Sequence, residues 1–560
     1  MDVRRSDGRS IASLLRKTFD KWLNSWTSEG KAHRYTLLVF FAMGVALRSA
    51  YLMQPMRYDE SFTYIAFVAR PIPVGLSWYP YPNNHLLNTL LSHFSTGILG
   101  NEPWIIRLPS FIAGILIIPA TYLVVRKLYN KQSAIIAVAL VVPSSLLIDF
   151  STQSRGYTIQ VLLFLVMILL AVRILRIDKF LYWAYLSVAG VLCFYAIPTT
   201  LYFFPPILIW MLISGFLGDA NIQKRTLVFK VLMTASLVAV TTVILYLPVV
   251  LRTGLPSLVS NKYVQSLLFK DFLGELPQSM SNMWSSWNIM IPLPLALFIL
   301  LGYFVSVLFH RRISRHPVNL TLVIFVWCVI ILFTQRVVPF ARSWMPLLPL
   351  FLGCSSAGLY FMYKHLLEFV SKRIEKKAGL STEASSVLII SLSLILAGLV
   401  VLGQTPFQRD ELGKMSVGTL RDAEAITLFL KKELREGDIV YSDYDYSSVP
   451  LEYYFRKYNI PVRFLAMNVP LEGSFPPRIP AWNPPGLRQG GTKNMKRAFF
   501  AVSEKEGHTL DHIMSFASQN YGGFNPTRFE ESATPVFSTG FTELLVSNRK
   551  TDTAATEGRQ

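Results

Sequence analysis

The sequence predicts an α-helical polytopic membrane protein with about 11 transmembrane helices and a small α/β domain after the last of them. The chain has 560 residues, of which 52% are hydrophobic, and its mean hydropathy is +0.40. Runs of roughly 18 or more apolar residues recur along it, each long enough to cross about 30 Å of hydrocarbon. Such continuous runs do not fit the alternating strands of a membrane β-barrel.

The chain begins with a basic, polar segment, residues 1–34. The apolar run after it is longer than the core of a signal peptide, which predicts a first span that is not cleaved. A transmembrane domain at 35–403 follows the basic segment. The spans 181–196 and 198–217, on either side of Ile197, could instead form one bent helix. The loops would then no longer alternate between the two sides of the membrane. The predicted spans are 35–53, 104–125, 132–149, 157–173, 181–196, 198–217, 230–250, 291–309, 319–335, 344–362 and 385–403.

Clusters of lysine and arginine predict the orientation of these spans. The clusters near 126–131, 173–179, 224–230, 311–315 and 364–377 all fall on the side of the basic N-terminus when the spans alternate. Cytoplasmic loops carry such an excess, so the N-terminus is predicted to be cytoplasmic. The loops 54–103 and 251–290 are then external.

The C-terminal segment, 404–560, is predicted to form an external domain. It contains a helical pattern at 420–434, a strand after the turn at Gly437-Asp438, a proline-rich stretch at 470–485, and a polar tail from about Asn548. This mixture indicates a small α/β domain.

Charge and cysteine content exclude two other classes of protein. The net charge of +20 would suggest nucleic-acid binding in a soluble chain, but here basic loops and anionic lipid headgroups explain it, so membrane lipids and no nucleic acid are predicted as partners. Cys193, Cys328 and Cys354 all lie in hydrophobic segments, which indicates packing rather than a disulfide framework. No glycine-rich phosphate loop occurs, so no nucleotide cofactor is expected.

The first external loop carries the most unusual polar residues. Arg57-Tyr58-Asp59-Glu60-Ser61 follows the first span directly, and Asn83-Asn84-His85 and His93 come later in the same loop. Adjacent carboxylates at the mouth of a span are costly and therefore indicate function. The alternative is that Asp59 only caps a short helix at 61–69, which leaves the amides and His85 unexplained.

Two further external loops carry arginines. One reads Ser154-Arg155-Gly156-Tyr157, and the other contains Arg336 and Arg342. A carboxylate pair supplies a general base or a metal ligand, and convergent arginines bind phosphate. The alternative for Arg155 and Arg342 is that they anchor the protein to lipid headgroups.

Taken in order, four elements resemble those of a known family. They are the Asp59-Glu60 pair after the first span, Pro82-Asn83-Asn84-His85, Arg107-Leu108-Pro109-Ser110 and Ser154-Arg155-Gly156-Tyr157. The chain resembles the polyprenyl-phosphate-dependent glycosyltransferases of the GT-C superfamily, in particular the bacterial members of glycosyltransferase family 39. These are similar to protein O-mannosyltransferases and aminoarabinose transferases. The resemblance covers about residues 35–180 and becomes weaker after them.

The resemblance implies a GT-C-like fold in the bacterial cytoplasmic (inner) membrane and an inverting transfer of a hexose or pentose. The donor would be a polyprenyl-phosphate-linked sugar and the acceptor a glycan, lipid or protein on the external face. Asp59 would be the base, and Glu60 a second catalytic acid that binds a metal or positions the acceptor. The donor phosphate would contact Arg155, Arg336 and Arg342, and positioning residues would be Arg57, Tyr58, Asn83, Asn84 and Tyr157.

A divalent metal ion of unknown identity is also implied, with His85 and Glu60 as its ligands. One departure bears on that site: the aminoarabinose transferases have a glutamate and a lysine near the positions of Asn84 and His85. The resemblance therefore leaves the metal and the donor sugar open.

Two rival functions remain at the level of the sequence. A transporter or flippase of a lipid-linked or anionic solute predicts inverted repeats and charges at mid-membrane, whereas the polar residues here cluster at span ends on one face. An O-antigen ligase or polymerase would also use a lipid-linked donor, but its large external loop is expected late in the chain.

Overall fold

The computed structural model describes residues 30–373 except 81, 262–263 and 290, and a smaller part of the C-terminal segment. There it describes residues 393, 397–398, 420–442, 445–461, 465, 496–502, 534–539 and 543–548. Most of the basic segment 1–34, nearly all of the predicted span 385–403, the proline-rich stretch 470–485 and the polar tail after 548 lie outside the described residues.

Helices make up the part of the chain up to residue 373. Their bounds are α1 Lys31–Leu52, α2 Tyr58–Thr63, α3 Ile72–Gly75, α4 Leu86–Leu99, α5 Pro103–Leu128, α6 Lys131–Val141, α7 Ser145–Ser151, α8 Tyr157–Arg176, α9 Phe180–Ala196, α10 Phe204–Phe216, α11 Lys224–Thr253, α12 Pro256–Val259, α13 Phe269–Trp287, α14 Leu293–Leu308, α15 His310–Ile313, α16 Leu320–Gln335 and α17 Leu347–Arg373. A π-helical turn at Tyr64–Val68 continues α2, and 3-10 turns lie at Pro198–Tyr202 and Ala341–Trp344.

Among the described residues, five helical segments are long and apolar enough to cross a membrane. They are α1, α5, α8, α11 and Pro198–Phe216, which joins a 3-10 turn to α10. The pair α6 and α7 is a sixth if it forms one broken span, and α9, α14 and α16 are shorter apolar helices. A helix occupies each predicted span from 35–53 to 344–362, while the total of about 11 crossings remains a prediction.

The predicted span 132–149 is broken in the middle. Helices α6 and α7 meet at an angle of 65°, and Pro143 lies in the break. A proline lacks the amide hydrogen that would continue a helix, so neighbouring carbonyl groups lose their partners. The guanidinium of Arg48 donates to the carbonyl of Val142 at 3.3 Å and to Oγ of Ser151 at 3.3 Å. This contact stabilises the bend that leads to residues 152–156.

The predicted external loop 54–103 is largely helical and contains α2, α3 and α4. Helix α2 begins at Tyr58, with Arg57 at its N-cap, and runs into the π-helical turn. The alternative in which Asp59 caps a helix at 61–69 is therefore wrong, because Asp59 lies inside the first turn. The second predicted external loop, 251–290, contains α12 and α13.

The described C-terminal residues form helices and a mixed sheet, and the external α/β domain at 404–560 remains a prediction. The elements are α18 Ala423–Glu433, β1 Asp438–Ser442, α19 Asp445–Lys457, β2 Arg497–Val502, β3 Thr534–Ser538 and β4 Glu543–Asn548. The strand order is β1-β2-β4-β3; β1 and β2 are parallel, and the other pairs are antiparallel. The predicted external side of this segment is not tested by these elements.

Helix α19 packs against the first loop. The amide of Met56 donates to the hydroxyl of Tyr454 at 3.3 Å, and Tyr453 donates to the carbonyl of Asn101 at 2.7 Å. Buried side chains of the loop and of the C-terminal elements share one hydrophobic cluster, which includes Met56 and Phe62. Helix α2 is thus held between α5 on one side and α19 on the other.

Candidate active site

The side chain of Glu60 is fully buried and forms a forked ion pair with Arg107 of α5. Nε of Arg107 lies 2.8 Å from Oε1, and its Nη2 lies 2.8 Å from Oε2. The amides of Ser154 and Arg57 donate to the same carboxylate at 2.9 and 3.3 Å. Burial alone would raise the pKa of Glu60, but the charge and hydrogen bonds of Arg107, helped by Arg57 and Ser154, hold the pKa below its usual value.

Asp59 has a different environment from its neighbour. Its side chain is 42% exposed, and Oδ2 lies 3.5 Å from Nη2 of Arg155. Successive residues of a helix point about 100° apart, so one turn of α2 directs Glu60 inward and Asp59 toward water. Asp59 is therefore a carboxylate that a substrate could reach.

Arg155 is the buried partner of Asp59. Its side chain is 2% exposed, and Nη1 is buried without a hydrogen-bond partner. Arg155 lies beside the ring of Tyr157, with Cζ 6.0 Å from the ring centroid. Its backbone carbonyl accepts from Oγ of Ser110 at 2.7 Å. The backbone of Arg155 is thus held in place, and its guanidinium keeps an N–H donor on Nη1 that no described group accepts.

His85 is buried next to these residues. Its ring meets that of Tyr157 edge-on at 4.9 Å, and neither ring nitrogen has a hydrogen-bond partner. A Cβ atom at Gly156 would lie 2.8 Å from Nδ1 of His85, so a glycine is needed for this approach. Burial, then the charges of Arg155 and Arg342, lower the pKa of His85 well below its ordinary value. His85 is therefore neutral at pH 7.

Arg342 completes the cluster from the 3-10 turn between α16 and α17. Its Nε donates to the hydroxyl of Tyr157 at 2.9 Å, and its guanidinium lies 4.4 Å from the centroid of the Phe340 ring. Tyr157 consequently touches Arg155, His85 and Arg342. Two guanidinium groups beside a neutral imidazole with unused nitrogens are suited to a phosphate group.

Three of the predicted positioning residues have structural partners. Arg57 forms an ion pair with Asp149, with Nη2 2.7 Å from Oδ1. Asn84 donates to the carbonyls of Gly75 and Trp78 at 2.9 and 2.8 Å, which stabilises the turn before α4. The ring of Tyr58 lies 6.0 Å from that of Phe62.

The remaining predicted residues lie in three different settings. Asn83 has a buried Oδ1 without a hydrogen-bond partner. His93 hydrogen-bonds the carbonyl of Val68 at 2.8 Å and so joins α4 to the π-helical turn. Arg336 ends α16 with a left-handed backbone (φ 52°), its side chain is exposed, and its carbonyl accepts from the amide of Leu267. No contact described for Arg336 joins it to Arg155 or Arg342.

Asp149 and Arg107 also belong to this cluster, although the sequence motifs by themselves assign a role to neither. Besides Arg57, Asp149 accepts from Nε2 of Gln153 at 2.7 Å, which braces the loop before Arg155. Asp149 is an acid near the end of the predicted span 132–149, and intramembrane acids of that kind indicate function. Arg107 lies in the motif Arg107-Leu108-Pro109-Ser110. Its ion-pair partner Glu60 is 47 residues away in the chain, so the neighbours of Arg107 do not reveal it.

The expected metal site at His85 and Glu60 does not fit the structure. Both oxygens of Glu60 already accept from Arg107, and the positive charges of Arg155 and Arg342, which act on His85, would repel a metal ion. Over the parts of the chain that the structure describes, no three His, Cys, Asp or Glu side chains form a group able to hold a metal ion. His85 and Glu60 therefore do not form a shared metal site in the described structure, and a divalent metal ion remains a prediction from the resemblance.

Residues 86–246 match the family model described as dolichyl-phosphate-mannose-protein mannosyltransferase. A search of curated proteins gives no match.

Solved structures match over most of the chain. The apo crystal structure of ArnT from Cupriavidus metallidurans has a TM-score of 0.53 at 11% identity and covers 91% of this chain and 97% of that one. The same protein bound to undecaprenyl phosphate has a TM-score of 0.52, with the same identity and coverage.

An oligosaccharyltransferase from Archaeoglobus fulgidus, tethered to an acceptor peptide, matches at a TM-score of 0.50 and 13% identity, and covers 93% of this chain and 74% of that one. At these identities the likeness shows the fold alone. Together with the partial family match, it confirms the resemblance predicted from the motifs: the chain has the fold of the GT-C glycosyltransferases.

Proposed function

We propose that this chain is an inverting glycosyltransferase that moves a sugar from a polyprenyl-phosphate-linked donor to an acceptor hydroxyl on the external face of the membrane. The observation that carries the proposal is the contact between Asp59 and Arg155, in which an exposed carboxylate meets a buried guanidinium with an unused donor. A base and a phosphate-binding group are thus adjacent.

In the proposed reaction, the carboxylate of Asp59 takes the proton of the acceptor hydroxyl as its oxygen attacks the anomeric carbon. The bond between that carbon and the phosphate oxygen breaks, and its electron pair leaves with the phosphate. Arg155, Arg342 and a nitrogen of His85 would hold the polyprenyl phosphate that departs. Attack from the side opposite the phosphate inverts the configuration.

Two comparisons support the polyprenyl phosphate donor. The family model that matches residues 86–246 is named for dolichyl-phosphate mannose, and a protein of the same fold has been crystallised with undecaprenyl phosphate. The acceptor would be a glycan, lipid or protein, and Tyr58, Asn83 and Tyr157 would position the two substrates. Arg336 is the weakest of the proposed phosphate contacts, since its exposed side chain has no described contact with the cluster.

The proposed location is the cytoplasmic membrane of a bacterium, with the N-terminus inside and the residues after 404 outside.

The experiment that tests the function uses the full chain in nanodiscs with polyprenyl-phosphate-linked sugars and an extract of external-face glycans. Mass spectrometry should detect free polyprenyl phosphate and a glycosylated acceptor in equal amounts. Movement of the lipid across vesicles without sugar transfer would instead favour a flippase.

A further inference from the structure

We infer that the buried ion pair of Glu60 and Arg107 is a positioning device that sets the contact between Asp59 and Arg155 and touches no substrate. The inference rests on the proposed function, because it assigns Asp59 and Arg155 to the reaction. It differs from the expectation that Glu60 is itself a catalytic acid or a metal ligand. It also gives Arg107 a role in the site.

Arg107 uses each of its five N–H donors. Besides the two bonds to Glu60, Nη1 donates to the carbonyls of Leu52 and Gln54 at 2.7 and 2.6 Å, and Nη2 donates to the carbonyl of Pro55 at 3.0 Å. These carbonyls belong to the link between α1 and α2. One guanidinium on α5 therefore fixes both the entry into α2 and the second acid of that helix.

Glu60 also holds the backbone beside Arg155 in place. Its Oε1 accepts from the amide of Ser154 as well as from Arg107. Ser154 precedes Arg155, and Asp59 precedes Glu60, so one carboxylate fixes the backbone next to both reacting groups. The side chain of Ser154 also accepts from Nδ2 of Asn88 at 3.2 Å, which holds this loop from a second side.

Neither member of the pair is accessible to a substrate. The side chains of Glu60 and Arg107 are each 0% exposed, and the four hydrogen bonds to Glu60 occupy both of its oxygens. Removing one charge would leave the other buried without a partner and would unfold the region. Substitutions that test positioning must therefore keep the charge and change either the length of the side chain or its bidentate hydrogen bonding.

The first test is Glu60→Asp, which retains the carboxylate but is one methylene shorter. It should not reach Arg107 and the Ser154 amide together. Since Ser110 holds the carbonyl of Arg155 independently, the Kd for polyprenyl phosphate in nanodiscs should change by less than about twofold. Misplacement by about 1 Å costs up to roughly 100-fold in rate, so kcat per donor-binding molecule should fall about 10- to 100-fold.

The second test compares Arg107→Lys with Arg497→Lys. Arg497 makes the same forked contact with Asp438, at 3.0 and 2.6 Å, within the C-terminal sheet. Lysine keeps the charge but loses the fork in both cases. Only Arg107→Lys should lower kcat at an unchanged donor Kd. The positioning role would be overturned if kcat fell equally in the two variants. It would also be overturned if kcat of Arg107→Lys fell only as much as the fraction of protein that still binds the donor.

Hydrogen exchange separates this inference from the proposed function. Peptides covering residues 150–157 should exchange faster in Glu60→Asp and Arg107→Lys than in wild type and Arg497→Lys, whether or not the chain transfers a sugar. Unchanged exchange would show that the pair does not hold the Ser154 amide, and the inference would fail. A wild-type chain without transferase activity would refute the proposed function alone.

Discussion

Oδ2 of Asp59 lies 3.5 Å from Nη2 of Arg155, which places an exposed carboxylate against a buried guanidinium. The distance is long for a direct ion pair, whereas the Arg57–Asp149 pair beside it closes to 2.7 Å. Arg155 also retains an unused donor on Nη1. Asp59 is therefore the exposed group of a loose pair, and Arg155 is its buried group with an N–H donor that no described residue accepts.

Replacing Asp59 by asparagine tests the proposed base. Asn keeps the shape and an acceptor oxygen but cannot take a proton, so turnover should fall by at least about 100-fold. The matched control is Asp271→Asn, another acid in the first turn of a helix, which should leave turnover unchanged. Turnover is measured as release of polyprenyl phosphate in nanodiscs. Near-normal turnover by Asp59→Asn would remove Asp59 from the mechanism.

Replacing Arg155 by lysine tests recognition of the donor phosphate. Lysine keeps the charge but loses the planar fork, so the Kd for polyprenyl phosphate should rise at least about tenfold. Arg173→Lys, at the opposite end of α8 and also over a tyrosine ring, is the control and should bind normally. An unaltered affinity in Arg155→Lys would return Arg155 to the role of a headgroup anchor.

The lowered pKa of His85 predicts a specific dependence of stability on pH. A histidine that is buried in its neutral form contributes stability above its unfolded pKa of about 6.5, and that contribution is lost as the pH falls. The loss is at most about 1.4 kcal/mol per pH unit below that value. The thermal midpoint of the wild type should thus fall more between pH 7 and pH 5.5 than that of His85→Gln.

The control for this measurement is His365→Gln, which removes an exposed histidine of α17. It should follow the wild-type curve across the same pH range. If His85→Gln and the wild type lose stability in parallel, the imidazole of His85 is not held neutral by its surroundings.

The distribution of basic loops predicts that the C-terminal end of α17 is cytoplasmic and that the segment 404–560 is external. Reporter fusions at Lys372 and at Ser503 should report the cytoplasm and the outside, respectively. Two signals from the same side would mean that the number of spans is wrong by one. The first loop would then need its own test by cysteine labelling at Ala69, which is exposed.

The positions of the helices were predictable because each follows from a local property of the chain. Apolar runs long enough for a span coincide with α1, α5, α8 and α11 to within a few residues, apart from the longer ends of α11. The break between α6 and α7 was missed, since Pro143 sits inside an otherwise uniform apolar run. The α/β elements near 420–442 were also readable from their pattern.

The sequence by itself predicted that the acids, His85 and the arginines lie in the loops between apolar spans or at the span ends, because apolar runs and charge patterns are properties of neighbouring residues. Only the tertiary structure decided which of them meet. It buried Glu60 against Arg107, left Asp59 partly exposed beside Arg155, packed His85 on Gly156, and kept Arg336 out of the described contacts of the cluster. The reason is physical: two adjacent carboxylates are alike in sequence, and what separates their chemistry is the hydration and the distant partner that packing gives to each.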